Sequence, residues 1–154
     1  ATPDGDAARM RDVPFSLVDF PEFAKTGFGW PIAPEYFGVA LSEVAERYGE
    51  ALPPVYITEG GVSYPDARGE SGQFHDRRRI HYLAEHLAIA LNGSPGIDLR
   101  GYFVWSLLDN WEWAAGFSQR FGLVHVDFDT LKRTPKDSYR WLRMVLAARP
   151  TSAP

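Results

Sequence analysis

The stretch Arg100-Gly101-Tyr102-Phe103-Val104-Trp105-Ser106-Leu107-Leu108-Asp109-Asn110-Trp111-Glu112-Trp113 decides how the chain is read. From Leu99 to Ser106 it is an almost continuous apolar run bounded by turn residues, the pattern of a strand covered on both faces. It then sets polar groups among rings, with Asp109, Asn110 and Glu112 between Trp105, Trp111 and Trp113. In parallel α/β proteins reactive groups gather at the carboxyl ends of strands, so this segment is a candidate site as well as a strand exit.

A second run of the same kind lies upstream. Val55-Tyr56-Ile57-Thr58 is β-branched and aromatic, follows the Pro53-Pro54 break and enters a turn at Glu59-Gly60-Gly61. Helical periods flank it. Phe37, Ala40, Leu41, Val44, Ala45 and Tyr48 repeat at helical spacing behind Pro34, with Gly49 to close the end. Asp76 is the capping residue for a second helix, with Ile80, Leu83, Ala84, Leu87 and Leu91 on its inner face and Arg77, Arg78, Arg79, Glu85 and His86 expected in water. After the aromatic segment, Leu123 to Phe128 alternates. Asp129-Thr130 ahead of Lys132-Arg133 predicts a hairpin with a poor second arm, and Asp137 or Ser138 then caps a helix from Tyr139 to Ala148.

Residues 1–33 hold four prolines and no sustained period, so they read as a long loop or linker following a preceding strand. Residues 34–150 form the folded part and residues 151–154 a tail. The start at Ala1 reads as a cut or processed end. Alternation of helices with apolar strands makes the class α/β with a parallel sheet. Two parallel strands leave edges and faces that neighbours must cover, so a larger sheet is expected, and the barrel of eight βα units is its natural completion.

Composition narrows the function. The 154 residues carry 16 basic and 20 acidic side chains, a net charge of -4, which provides no positive field for nucleic acid. No apolar stretch approaches the roughly 20 residues of a spanning helix, so no membrane partner is expected. Zero cysteines exclude a disulfide framework and thiolate chemistry. The opening run has no apolar signal-peptide segment, and a cytoplasmic location is expected, with secretion left open. His75, His81, His86 and His125 show no H-E-x-x-H spacing, so no metal site is expected. The run His75-Asp76-Arg77-Arg78-Arg79 reads as a solvated helix start.

Two readings of the strand ends stay open on the residues alone. Glu59 is either a reactive carboxylate or a turn-entry residue that caps the following backbone. The Trp105–Trp113 segment offers rings for the apolar faces of a sugar and carboxylates or amides for its hydroxyls, or else its tryptophans are core plugs.

The motifs resemble those of family 1 glycoside hydrolases, the retaining β-glucosidases and their relatives. Tyr56-Ile57-Thr58-Glu59-Gly60-Gly61 is similar to the family's Y-I-T-E-N-G at the end of strand seven, with Gly60 where Asn is usual. The Arg100–Trp113 stretch, continued by Gly116-Phe117 and Arg120-Phe121-Gly122-Leu123, resembles its strand-eight signature; Gly29-Trp30-Pro31-Ile32 and Lys132 to Ser138 support the match. The resemblance implies the C-terminal portion of a (β/α)8 TIM barrel, strands seven and eight with flanking helices. It implies that Glu59 is the nucleophile, that Trp105, Glu112, Trp113 and Phe121 bind the glycone, and that Trp30 faces the aglycone. The substrate would be a β-glucoside or related oligosaccharide, with no cofactor. The family's acid/base Glu stands in an Asn-Glu-Pro motif on strand four, a triplet this chain does not have. Its partner would therefore be the N-terminal part of the barrel, in the same protein or a second chain. The alternative is a non-catalytic sugar-binding or interaction module derived from the same fold.

Overall fold

The computed structural model describes residues 20–148. The first part of the expected linker, residues 1–19, and the 151–154 tail lie outside them. Helix α1 (Pro34–Tyr48) starts on a proline, whose missing N–H is no loss in a first turn, and buries Leu41 and Ala45. Gly49 closes it at φ 52, donating its N–H to Ala45, and a single 3-10 turn, Gly49–Ala51, follows. Strand β1 (Val55–Gly60), helix α2 (Arg77–Asn92) and strand β2 (Leu99–Val104) then make one right-sized βαβ unit. A short ladder of β3 (Val124–Val126) and β4 (Arg133–Pro135) precedes the final helix α3 (Asp137–Ala147).

β1 and β2 pair in parallel and form a two-stranded sheet; β3 and β4 pair antiparallel as the expected hairpin. Leu41, Ala45 and Leu83 bury the faces of α1 and α2, while Val62, Tyr64, Phe74, Leu123, Val124 and Val126 bury the segment after β1 and the hairpin. No helix of the described residues is long and apolar enough to cross a membrane.

Several local expectations are corrected. β1 runs two residues further than Thr58, so Glu59 is part of the strand, and β2 stops at Val104, two residues before Ser106. The apolar runs are not covered on both faces among the described residues: Tyr56 is 51% and Phe103 58% exposed, in a sheet where β1 and β2 pair only with each other. Asp76 occupies the N-cap position of α2, yet its carboxylate makes no cap bond. It accepts instead from the backbone N–H of Ser138 at 2.8 Å, from the Ser138 hydroxyl at 2.5 Å and from Arg79. Neither Asp137 nor Ser138 caps α3; the N-cap residue is Lys136 and no side chain caps that helix.

Arg79 overturns the solvated helix start. It is 1% exposed and donates to the carbonyls of Val62 at 3.2 Å and Arg120 at 2.6 Å as well as to Asp66 and Asp76. Burial without these partners would cost several kcal/mol, so the sequence must supply them. Lys136, fully buried, completes the network with its ammonium 2.5 Å from Asp66 and 3.0 Å from Asp109. Burial pulls the Lys136 pKa below its ordinary value, Arg79 adds to the pull, and the two carboxylates oppose it. Asp66, Asp76 and Asp109 face Arg79, Arg120 and Lys136, so the charges balance.

Candidate active site

The site starts at a break in the β1 ladder. Ile57 pairs with Tyr102 and Gly60 with Val104, so three steps along β1 match two along β2. An extra residue of this kind interrupts the alternation of faces and re-aims a side chain. Thr58 and Glu59 are accordingly both exposed, one after the other. The Glu59 carboxylate has no hydrogen bond or ion pair among the described residues, so it does not serve as a turn cap.

Two glycines fix its surroundings differently. A Cβ on Gly61 would lie 1.7 Å from the Trp105 carbonyl oxygen, so only glycine lets the exits of β1 and β2 pack backbone to backbone. Trp105 N–H donates to Gly60 O at 3.1 Å in the same contact. A Cβ on Gly60 would meet the Tyr102 hydroxyl at 2.2 Å. Tyr102 packs edge-on against Phe37 of α1, so a side chain at position 60 would point into the helix layer rather than beside Glu59.

The aromatic segment is a closed loop. Its ends are clamped by Leu123 N–H to Ser106 O at 2.9 Å, Val124 N–H to Leu107 O at 2.9 Å and Asp109 N–H to Val124 O at 3.1 Å. The buried Asp109 carboxylate accepts from Gly122 N–H at 2.9 Å, Val126 N–H at 3.2 Å and Lys136, with Arg120 3.3 Å away. Asn110 donates to Ser106 Oγ at 3.0 Å and Leu108 O at 3.1 Å. Asp109 and Asn110, weighed from the sequence as sugar-hydroxyl partners, are thus engaged in closing the loop. Inside it, Glu112 N–H donates to Gly116 O at 2.7 Å and Gly116 N–H returns to Glu112 O at 2.6 Å, with Gly116 at φ 60. The backbone of Glu112 is fixed while its carboxylate has no partner among the described residues.

These segments enclose an open cleft of about 440 Å³ lined by Trp30, Glu59, Gly61, Trp105, Trp111, Glu112, Trp113 and Phe121. All six residues singled out from the sequence line it. Trp111, which the sequence offers only as a ring or a core plug, also lines it; it is half-exposed and meets Trp113 edge-on at 5.3 Å. Its place next to Glu112 in a W-x-W pattern was the available signal. Phe121 is buried at the base, whereas Trp113 is 83% exposed. Phe28 stacks on Trp30 at 4.8 Å and 9° and reaches Phe121 at 5.9 Å, extending the ring-lined wall. Two unpaired carboxylates among ring faces suit a neutral polyhydroxylated ligand, which offers apolar C–H faces and hydroxyl donors.

A second group of potential ligands lies outside the cleft. Asp66, Asp109 and His125 place donor atoms within 4.8 Å of one another, a grouping a cation would suit in isolation. The Lys136 ammonium already stands among them, close to Asp66 though poorly aligned as a hydrogen bond, and Arg120 adds a further positive charge. A metal ion there would be repelled by the charge that the protein itself supplies.

Comparison with known proteins identifies the family and the fold. The profile of glycosyl hydrolase family 1 matches residues 6–150. Beta-glucosidase A of Thermotoga maritima is 48% identical over 126 residues, 81% of this chain and 28% of its own length. A beta-glucosidase of an Agrobacterium species is 46% identical over 118 residues, covering 76% of this chain and 25% of its own. Among solved structures, the family 1 β-glucosidase from Thermotoga maritima in complex with isofagomine lactam superposes with a TM-score of 0.80 at 46% identity, over 86% of this chain and 30% of that one. The psychrophilic β-glucosidase from Micrococcus antarcticus gives 0.79 at 42% identity, over 84% and 28%. The chain therefore spans less than a third of the length of these relatives and corresponds to part of their TIM barrel. With its profile match, its identities and its fold all in agreement, the chain belongs to glycosyl hydrolase family 1.

Proposed function

We propose that the chain supplies the nucleophile and one wall of the sugar pocket of a retaining β-glucosidase. The observation that carries this reading is the unpaired Glu59 carboxylate, re-aimed by the β1 bulge into a ring-lined cleft that it shares with Glu112. In the first step a Glu59 oxygen attacks the anomeric carbon, the glycosidic C–O bond breaks, and the leaving oxygen takes a proton from an acid/base carboxyl. In the second step water, deprotonated by that same group, attacks the anomeric carbon and releases Glu59. Trp105 and Phe121 would hold the glycone face and Glu112 and Trp113 its outer hydroxyls, while Trp30 would stack on the aglycone.

Retaining chemistry needs the second carboxyl about 5–5.5 Å from the first. Glu112 belongs with the outer hydroxyls, on the wrong side of the scissile bond for that role. The acid/base is therefore assigned to the N-terminal part of the barrel, and activity to the assembled barrel, where water is excluded from the reacting centre.

The test is covalent trapping. The chain, alone and assembled with the remaining barrel strands, is treated with a 2-deoxy-2-fluoro-glucoside, and the label is located by peptide mass spectrometry. Label on Glu59 in the assembled sample, abolished in Glu59→Gln together with a rate loss of roughly 10³-fold or more, is expected. Sugar binding without label in either sample would instead support a non-catalytic sugar-binding module and overturn the proposal.

A further inference from the structure

Three segments that carry cleft residues converge on one buried residue, one held by its backbone carbonyl and another by its hydroxyl. Ser63 is 1% exposed and follows Glu59 at the exit of β1. Its carbonyl accepts Gly27 N–H at 2.7 Å, and its hydroxyl donates to Gln119 Oε1 at 2.8 Å. Gly27 belongs to the turn that presents Trp30, and Gln119 to the closed loop that presents Glu112.

The Trp30 turn is tied to itself. Thr26 N–H donates to Trp30 O at 2.9 Å, and Thr26 Oγ1 accepts from the N–H groups of Phe28 at 3.2 Å and Trp30 at 3.1 Å. A turn bonded in this way moves as a unit, so the position of its indole depends on what grips it from outside. The Phe28 ring against Phe121 is a non-directional contact that tolerates sliding. The bond from Gly27 to Ser63 is directional and sets both distance and orientation. Nothing but glycine fits there: a Cβ would lie 2.9 Å from Ser63 O and Oγ and 3.0 Å from Gln119 Oε1.

We infer that the contact of Gly27 with the Ser63 carbonyl, flanked by the Ser63–Gln119 bond, is the positioning element that fixes the Trp30 indole relative to Glu59 and Glu112, and thereby sets the preference of the cleft for β-glucosides with flat, stacking leaving groups. The inference rests on the proposed glycosidase role, in which Trp30 faces the aglycone. Ser63 touches no substrate and acts only through Gly27 and Gln119.

The experiment uses the chain assembled with the rest of its barrel and carrying 5-fluorotryptophan. The Trp30 fluorine signal is assigned by its loss in Trp30→Phe, and Trp141 on α3 serves as the fold control. In Gly27→Ala, whose Cβ crowds Ser63 O and Oγ, the Trp30 signal is expected to shift while that of Trp141 stays; Ser63→Ala keeps the carbonyl, removes only the bond to Gln119 and is expected to shift it less. In Gly27→Ala, KM for an aryl β-glucoside is expected to rise about threefold to tenfold, the size of one lost hydrogen bond, with kcat nearly unchanged and methyl β-glucoside little affected. An unmoved Trp30 signal in both variants overturns the inference, as does an equal loss on aryl and methyl glucosides. A moved Trp30 signal in an assembly that never labels Glu59 overturns the glycosidase reading instead, and the fluorine signal tells the two failures apart.

Discussion

At position 60 the family resemblance and the local packing pull apart. Gly60 stands where the family usually has Asn, which by resemblance removes a side chain beside Glu59. The geometry shows instead that the missing Cβ would meet the Tyr102 hydroxyl at 2.2 Å, away from the cleft lining. Gly60→Asn should therefore destabilise the fold by about 1–3 kcal/mol through overpacking. Adding Tyr102→Ala to that variant should recover part of the loss, and denaturant midpoints of the two single variants and the double variant check the coupling. A second residue-scale expectation concerns pH. His125 stacks on Phe74 at 3.9 Å, with Asp109, Arg120, Asp66 and Lys136 around it. Burial lowers its pKa first of all, against the pull of the two carboxylates, and burial lowers that of His86 in the same direction. The folded protein thus resists a proton that the unfolded chain accepts near pH 6.5. Stability is unaffected by either histidine above that pH and falls as pH drops through it towards the depressed folded values. Thermal unfolding between about pH 7.5 and 5 should show this slope, and His125→Gln should reduce it.

At the scale of elements, periodicity made the helices and both strands legible, because burial of one face leaves a repeat that a sequence displays. Bonds between residues far apart in the chain leave no such repeat. Arg79 looks like one of three surface arginines, yet it reaches Val62, Asp66 and Arg120, and Asp76 bonds Ser138 rather than its own helix. Asp109 and Asn110 shared a segment with the cleft residues and were indistinguishable from them by composition; only the loop's clamped ends reveal that they hold it shut. Glu59, by contrast, was legible from its strand-end position, though the bulge that turns it was not. The network suggests a direct test on Lys136, which joins Asp66 to Asp109 and so ties the segment after β1 to the aromatic loop. Lys136→Met leaves two buried carboxylates facing each other and should cost about 3–5 kcal/mol. Urea unfolding of Lys136→Met, Asp66→Asn and the double variant should show the double losing less than the sum of the singles. Strict additivity would mean that the three groups do not act as a unit.

For the whole molecule, the decisive feature is a parallel sheet of two strands, each with one edge unpaired among the described residues. Such an edge is a template for any other strand, and a two-stranded sheet is marginal without further cover. The apolar surface left open runs along it: Leu87, Leu99, Phe103, Leu142 and Leu146 line a groove of about 310 Å³ between β2 and helices α2 and α3. Leu91 of the same groove is 63% exposed. Burying surface of this kind is worth roughly 25 cal/mol per Å², so the chain gains more from strand partners than from water. Alone, it should self-associate and bind an apolar dye strongly. Mixed with a polypeptide bearing the first six strands and the Asn-Glu-Pro motif, it should sediment as a one-to-one complex, lose the dye signal and acquire the covalent label at Glu59. All three changes share one cause, the covering of the same edges, so they should titrate together with the partner's concentration. A monodisperse chain with little dye binding and a cooperative unfolding transition of its own would mean that the parallel pair with its hairpin and three helices folds without further strands.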